Sequence, residues 1–187
     1  MHQDVERILF SEAQILAGTD RVAEEITAYY RGRPFTVVSV LKGSCVFSAD
    51  LIRRIPNPLQ LAFVSASSYR DGAVGGELDL RFFPTENEIA GQSLLLVDDI
   101  LDTGRTMSAL REDLLARGAA EVRTCVFLDK PARRAVEFEA DHRAFEVEDL
   151  FVVGYGLDYR GHYRNLPYVG SLKASVHAGA PTSPSHA

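Results

Sequence analysis

Cysteine is scarce in this 187-residue chain: Cys45 and Cys125 are the only two. Neither has a neighbour at metal-ligand spacing, so a disulfide framework and a zinc cluster are both excluded. Two such thiols suit a reducing cytosol, and each is expected to be a small buried apolar residue. Long apolar runs are missing too, since nothing approaches the roughly 18 residues that a membrane helix needs. The opening stretch, MHQDVERILF, carries acids where a secretory signal needs positive charge followed by an apolar segment. Positive charge is in deficit throughout: 20 Lys and Arg against 26 Asp and Glu leave a net charge of −6. That balance offers no electrostatic footprint for duplex nucleic acid or an anionic membrane. Internal repeats and a dividing linker are absent, so the length reads as one domain.

What is present is a globular mixture, 46% apolar and 25% charged. Ser11 followed by Gln14 has capping-box spacing and opens a helix. Gly18 is expected to interrupt it before Val22, Ile26 and Tyr29 continue at helical spacing. The run from Thr36 to Leu41 reads as a buried strand, Lys42-Gly43-Ser44 as a turn, and Cys45 to Arg54 as an amphipathic helix. Leu59 to Ser65 reads as another strand. Residues 66–77, ASSYRDGAVGGE, have three glycines and little that anchors a core, the composition of a mobile loop. The flanks of that loop are able to pair as an antiparallel ribbon. Ser93 to Val97 is the most apolar strand, a helix follows from Thr106 to Arg117 with Gly118 at its C-cap, and Val122 to Leu128 and Phe151 to Val153 are further strands. Strands alternating with helices, several of them apolar on both faces, predict an α/β fold with a mostly parallel sheet between helices. From Val176 the chain reads VHAGAPTSPSHA, a frayed tail over 176–187.

One stretch carries chemistry: Leu94 to Met107, LLLVDDILDTGRTM. Apolar residues take the chain through the sheet, and Asp98 and Asp99 emerge at its carboxyl edge, where open α/β sheets bind ligands. If the backbone stays extended the two carboxylates point to opposite sides. Asp102-Thr103-Gly104-Arg105-Thr106 then forms a turn into a helix N-terminus, with N–H groups, two hydroxyls and a glycine that permits close approach to a phosphate. Anion-binding donors beside acceptors for hydroxyls or a hydrated cation match a phosphorylated sugar. Taken singly, each of these residues reads equally well as a helix cap or a turn. A phosphatase of the haloacid dehalogenase type needs Asp-x-Asp after the strand, a frame that Asp98, Asp99 and Asp102 do not fit.

The whole string resembles the phosphoribosyl-diphosphate-binding motif of type I phosphoribosyltransferases. VLKGSCVFSADLIRRI, SSY, LDKPARR and FVVGYGLDYRGHYRNLPYVG resemble the hypoxanthine (hypoxanthine-guanine) branch of that family, in the same order over about residues 5–175. The resemblance implies a type I phosphoribosyltransferase fold over 1–175. Its core spans about 20–150, and a small hood is built from the N-terminal segment and about 151–175. It implies transfer of ribose 5-phosphate from phosphoribosyl diphosphate to a 6-oxopurine, with Mg2+ as cofactor, in the cytoplasm, by a homodimer or homotetramer. No nucleic acid or membrane partner is implied.

Carried over residue by residue, Asp98 and Asp99 match the acids that hold the ribose hydroxyls directly or through magnesium; the family usually has Glu-Asp there, and this chain has Asp-Asp. Asp102 matches the carboxylate facing purine N7, the catalytic acid or base. Thr103, Gly104, Arg105 and Thr106 match the 5-phosphate loop, with Arg105 acting through its backbone. Lys42 and Gly43 match the loop touching pyrophosphate, whose entering peptide can be cis in the family. Ile100, Lys130, Phe151, Val152 and Asp158 fall among the purine contacts, with Lys130 donating to the 6-oxo group and Phe151 stacking on the base. Asp158 also matches a ligand of a second magnesium, Arg164 a pyrophosphate-binding arginine, and Ser68 and Tyr69 the mobile loop that closes over the site. Taken alone, Lys42 and Lys130 read as solvated loop charges, and Phe151 and Val152 as core. The competing readings are transfer to another base, such as xanthine or a pyrimidine, and an RNA-binding regulator on the same fold. The latter calls for a basic face that a net charge of −6 does not favour.

Overall fold

The computed structural model describes residues 2–67 and 79–178. In chain order its elements are β1 (Val5–Phe10), α1 (Glu12–Tyr30), β2 (Phe35–Leu41), α2 (Cys45–Ile52), β3 (Leu59–Ser67), β4 (Asp79–Phe82) and α3 (Glu86–Ile89). There follow β5 (Ser93–Leu101), α4 (Arg105–Ala116), β6 (Glu121–Asp129), β7 (His142–Glu146), β8 (Val152–Val153), β9 (Val169–Leu172) and α5 (Ala174–His177).

The central sheet has the order β4-β3-β2-β5-β6-β7. Its five strands from β3 to β7 are parallel, and β4 lies antiparallel on the edge. Six of the seven β2 residues are buried, because helices cover both faces of the strand. Alternate side chains serve the two faces. Val37, Leu95, Val97 and Phe127 meet Ile15, Val22 and Ile26 of α1 and Phe47 and Leu51 of α2 on one side. Val38, Val40, Leu94, Leu96 and Val126 meet Met107, Leu110 and Leu114 of α4 on the other. A second, antiparallel sheet in the order β1-β9-β8 forms the hood, over a small core of Phe151, Val153, Tyr163, Leu166 and Leu172.

The capping box is complete: Ser11 N–H donates to Gln14 Oε1 at 2.9 Å, and Gln14 N–H donates back to Ser11 Oγ at 3.4 Å. Gly18 does not interrupt α1, contrary to expectation; the helix runs unbroken to Tyr30. The ring of Phe145 on β7 lies against it, where a Cβ at position 18 would overlap the ring. The glycine therefore serves close helix–sheet approach and not a break. The expected ribbon is present, with Ser65 opposite Phe82 and Ala66 opposite Leu80. Cys125 is buried as expected, whereas Cys45 is exposed in the first turn of α2; both are free. Val176 and His177, expected in the tail, lie at the end of α5, where the Val176 carbonyl accepts from Tyr159 Oη at 3.2 Å. No helix among the described residues is long and apolar enough to cross a membrane.

Candidate active site

The chain leaves β2 through α2 toward β3 on one side of the sheet, and leaves β5 through α4 toward β6 on the other. The carboxyl ends of β2 and β5 therefore flank the point where the strand order reverses, and a crevice opens there.

At the end of β2 the Leu41–Lys42 peptide is cis, Lys42 is exposed and Gly43 is buried. Gly43 lies so close to Asp99 that a Cβ at this position would overlap its carboxylate. Three buried hydroxyls pin the turn to the base of α2. Ser39 Oγ lies 2.7 Å from Ser44 Oγ and 2.8 Å from Ser48 Oγ, and Ser44 Oγ donates to the Val40 carbonyl at 2.5 Å.

β5 stays extended through Leu101, so Asp98 and Asp99 do point to opposite sides. They are 1% and 2% exposed. Asp98 Oδ1 accepts from the Asp99 N–H at 2.9 Å, while Asp99 Oδ1 has no partner among the described residues. Burial, and after it the neighbouring Asp99 charge, push the Asp98 carboxyl well above the usual carboxylate range.

The turn that follows enters α4 through Gly104, whose φ of 82° is left-handed. No side chain caps α4, which leaves its first N–H groups available to an anion. Thr103 Oγ1 accepts from the Arg105 N–H at 3.4 Å; the Arg105 side chain is exposed and Thr106 half-buried. Arg134 braces this turn: its Nη1 donates to the Leu101 and Asp102 carbonyls at 3.1 and 2.5 Å, and its Nη2 meets Asp129 Oδ1 at 2.5 Å. Arg133 Nε donates to the Asp102 carboxylate at 3.2 Å. Neither arginine was singled out from the sequence, since consecutive basic residues after a proline read as surface charge.

Lys130, at the end of β6, is fully buried and donates to the Leu150 carbonyl at 2.6 Å. Burial pushes its ammonium below the ordinary lysine value, and the charges of Asp102 and Asp149 oppose that shift. Phe151 is 4% exposed. Its ring and that of Tyr159 meet in a T-shaped pair, and His177 of α5 stacks on it at 5.0 Å. Ile100 and Val152 are core side chains, so only their backbone is available to a base. One Asp158 carboxylate oxygen lies 2.7 Å from Arg164 Nη2 and the other accepts from the Gly161 N–H at 2.7 Å. These contacts hold Arg164 in place and leave each oxygen a further lone pair. Arg164 Nη1 in turn donates to the Gly156 carbonyl at 2.6 Å, and Gly156 lies against the Gly43 carbonyl. The hood's 154–164 segment is thereby seated on the Lys42-Gly43 turn. The structure thus brings Lys42, Gly43, Asp98, Asp99, Asp102 to Thr106, Lys130 and Arg164 to one end of the molecule; Ser68 and Tyr69 lie outside the described residues.

Known proteins resemble this chain in sequence and fold. The family model for the phosphoribosyl transferase domain matches residues 8–160. A hypoxanthine-guanine phosphoribosyltransferase of Streptococcus pneumoniae is 39% identical over 179 residues, covering 95% of this chain and 99% of the relative. The bifunctional protein TilS/HprT of Listeria monocytogenes is 41% identical over 95% of this chain, which spans 28% of that longer protein. A Staphylococcus aureus hypoxanthine phosphoribosyltransferase superposes with a TM-score of 0.85 at 38% identity, covering 95% of this chain and 96% of the other. A Trypanosoma cruzi hypoxanthine phosphoribosyltransferase, solved as a ternary substrates complex, gives 0.88 at 35% identity over 93% and 98%. On sequence and fold together, the chain belongs to the phosphoribosyltransferase family, in its hypoxanthine-guanine branch.

Proposed function

We propose that the chain is a purine salvage enzyme that transfers the 5-phosphoribosyl group from phosphoribosyl diphosphate to N9 of hypoxanthine and guanine, releasing pyrophosphate. One observation carries this reading: buried paired acids, an uncapped helix N-terminus and a buried lysine all sit at the carboxyl ends of two neighbouring strands, β5 and β6. The N–H groups and hydroxyls of Thr103 to Thr106 hold the 5-phosphate. Asp98 and Asp99 face the ribose, Lys42, Gly43 and Arg164 the diphosphate. Lys130 donates to the purine 6-oxo group, Phe151 stacks on the base, and the backbone at Val152 meets its exocyclic edge. Asp102 holds or accepts the proton at N7 as C1 of ribose develops oxocarbenium character, so its carboxylate acts where charge changes.

The residues present fit a divalent cation. Asp99 Oδ1 is buried without a protein partner, beside the equally buried Asp98. Among the described residues no three acid, histidine or cysteine side chains form a metal cage of their own. Magnesium is typically held by one or two carboxylates together with substrate phosphates. When bound, Mg2+ supplies neutralisation of the leaving pyrophosphate. Ser68 and Tyr69 are assigned to closing the site against water, which otherwise captures the reactive sugar. Two free cysteines support residence in a reducing cytoplasm. Val46, Leu61 and Phe82, apolar and left exposed on α2, β3 and β4, support a homo-oligomer.

The test is a panel of hypoxanthine, guanine, xanthine, adenine and uracil, each with phosphoribosyl diphosphate and magnesium, read by pyrophosphate release. Turnover with hypoxanthine and guanine is expected. Turnover confined to xanthine or a pyrimidine, or none with any base alongside tight RNA binding, would overturn the reading.

A further inference from the structure

We propose that Asp149 is a positioning residue of the purine site, a single carboxylate that ties Lys130 to Arg133 and, through Arg133, to Asp102. This rests on the function proposed above and names a residue that sets its base-facing groups.

The two oxygens of Asp149 serve different cations. Oδ1 lies 3.8 Å from Lys130 Nζ, and Oδ2 lies 3.9 Å from Arg133 Nη1. Arg133 Nε contacts Asp102 Oδ1 at 3.2 Å, and Lys130 Nζ donates to the Leu150 carbonyl at 2.6 Å. Charges therefore alternate along a chain, Asp102, Arg133, Asp149, Lys130, whose two ends are the groups assigned to N7 and O6 of the base. The topology explains why one residue reaches both cations. Lys130 and Arg133 leave the end of β6 three positions apart, while Asp149 precedes β8 and reaches them from the hood.

The charged groups facing Lys130 are Asp102 and Asp149, which favour the ammonium, and Arg133, which opposes it; burial opposes it most. Without the Asp149 charge, Lys130 and Arg133 both lean more on Asp102. The Asp102 carboxylate is drawn between them, and the Lys130 proton is held less firmly. An opposite charge within about 4–6 Å typically moves a proton equilibrium by 1–3 units. Asp149 is 40% exposed, so the lower end applies, about one unit. Only the ammonium form donates to a 6-oxo group. Losing the tie therefore acts on base recognition and leaves the diphosphate end of the site alone.

The experiment uses the wild type, Asp149→Asn and Asp149→Glu, with thermal unfolding to confirm folding of each. Chains uniformly 13C-labelled at lysine are titrated by NMR, which is tractable because Lys42, Lys130 and Lys173 are the only lysines. The Lys130 signal is assigned by its loss in Lys130→Ala. In Asp149→Asn the Lys130 titration and the alkaline limb of kcat/KM for hypoxanthine are expected to move down together by about one pH unit. Measured at a pH above the Lys130 titration, KM for hypoxanthine is expected to rise about tenfold, the equivalent of one such unit, and well below that titration to change little. KM for phosphoribosyl diphosphate stays at the wild-type value, and Asp149→Glu restores most of the loss. An unmoved Lys130 titration in a folded Asp149→Asn chain overturns the proposal even if hypoxanthine transfer is normal. A moved titration with unchanged KM for the base overturns the positioning role. If the wild type transfers to no 6-oxopurine, the proposed function fails first and this inference with it, an outcome separable because the NMR titration needs no turnover.

Discussion

Replacing Asp99 with asparagine should make the protein more stable and much less active. The carboxylate is 2% exposed, one of its oxygens has no partner among the described residues, and the next side chain in the chain is a second carboxylate just as deeply buried. A buried polar group left unsatisfied costs about 1–3 kcal/mol, and more when it is charged. Asparagine keeps the shape beside Gly43, where there is no room for anything larger, and removes the charge. The amide is still a buried polar group, so only the added cost of the charge is recovered, about 1 kcal/mol, which for a chain of this size, at about 2–4 °C per kcal/mol, is a rise in Tm of roughly 2–4 °C. The assay is thermal unfolding in metal-free buffer near neutral pH, repeated with magnesium. A cation that binds only the folded chain stabilises it by mass action, so magnesium should raise Tm of the wild type and have a smaller effect on the variant. Transfer to hypoxanthine should fall by roughly 10²-fold or more in the same variant, if the carboxylate helps hold magnesium for the leaving group. An Asp99→Asn protein that melts at or below the wild type without metal refutes the reasoning. It would mean that the carboxylate is satisfied by something other than a cation.

Three further outcomes are expected. Lys130→Ala should weaken use of hypoxanthine and shrink its advantage over adenine, which presents a donor where the lysine needs an acceptor; an unchanged preference ratio rejects the assignment, since a mismatch of about 1–3 kcal/mol is at stake. Excess chelator should stop pyrophosphate release, because nothing then neutralises the leaving group, and full activity in chelator contradicts magnesium dependence. Ser11→Ala should remove the capping box of α1 at a cost of about 1 kcal/mol, lowering Tm by about 2–4 °C with kcat unchanged, as measured by thermal unfolding beside a turnover assay.

The parallel sheet was legible because β2, β5 and β6 are largely buried on both faces and read as mostly apolar stretches. Of the hood's strands only β8, read as Phe151 to Val153, was legible. β1 reads VERILF and β9 reads VGSL, short segments whose partners lie at the other end of the chain, and only that distant pairing makes them strands. β7, HRAFE, has no polar–apolar alternation over its five residues. Gly18 misled for a related reason: a glycine inside a helix reads as a break, and the Phe145 ring that requires it is 127 positions away. In the site, the phosphate turn and the paired acids were readable because they are contiguous. Arg133, Arg134 and Asp149 were not, since their meaning lies in what they touch across the fold. Asp158 was placed by resemblance as a ligand, and its contacts with Arg164 and Gly161 could not be read from the sequence.

The exposure of Cys45 has a practical consequence. Its thiol stands in the first turn of α2, next to the pinned Lys42-Gly43-Ser44 turn, while burial keeps the Cys125 thiol protonated and inert. A thiol-directed fluorophore will therefore attach at one position in the unmodified protein, directly beside the turn assigned to the diphosphate. Arrival of the sugar diphosphate becomes visible as a change in emission, on a stopped-flow timescale and before any base is added, with no residue of the chain replaced.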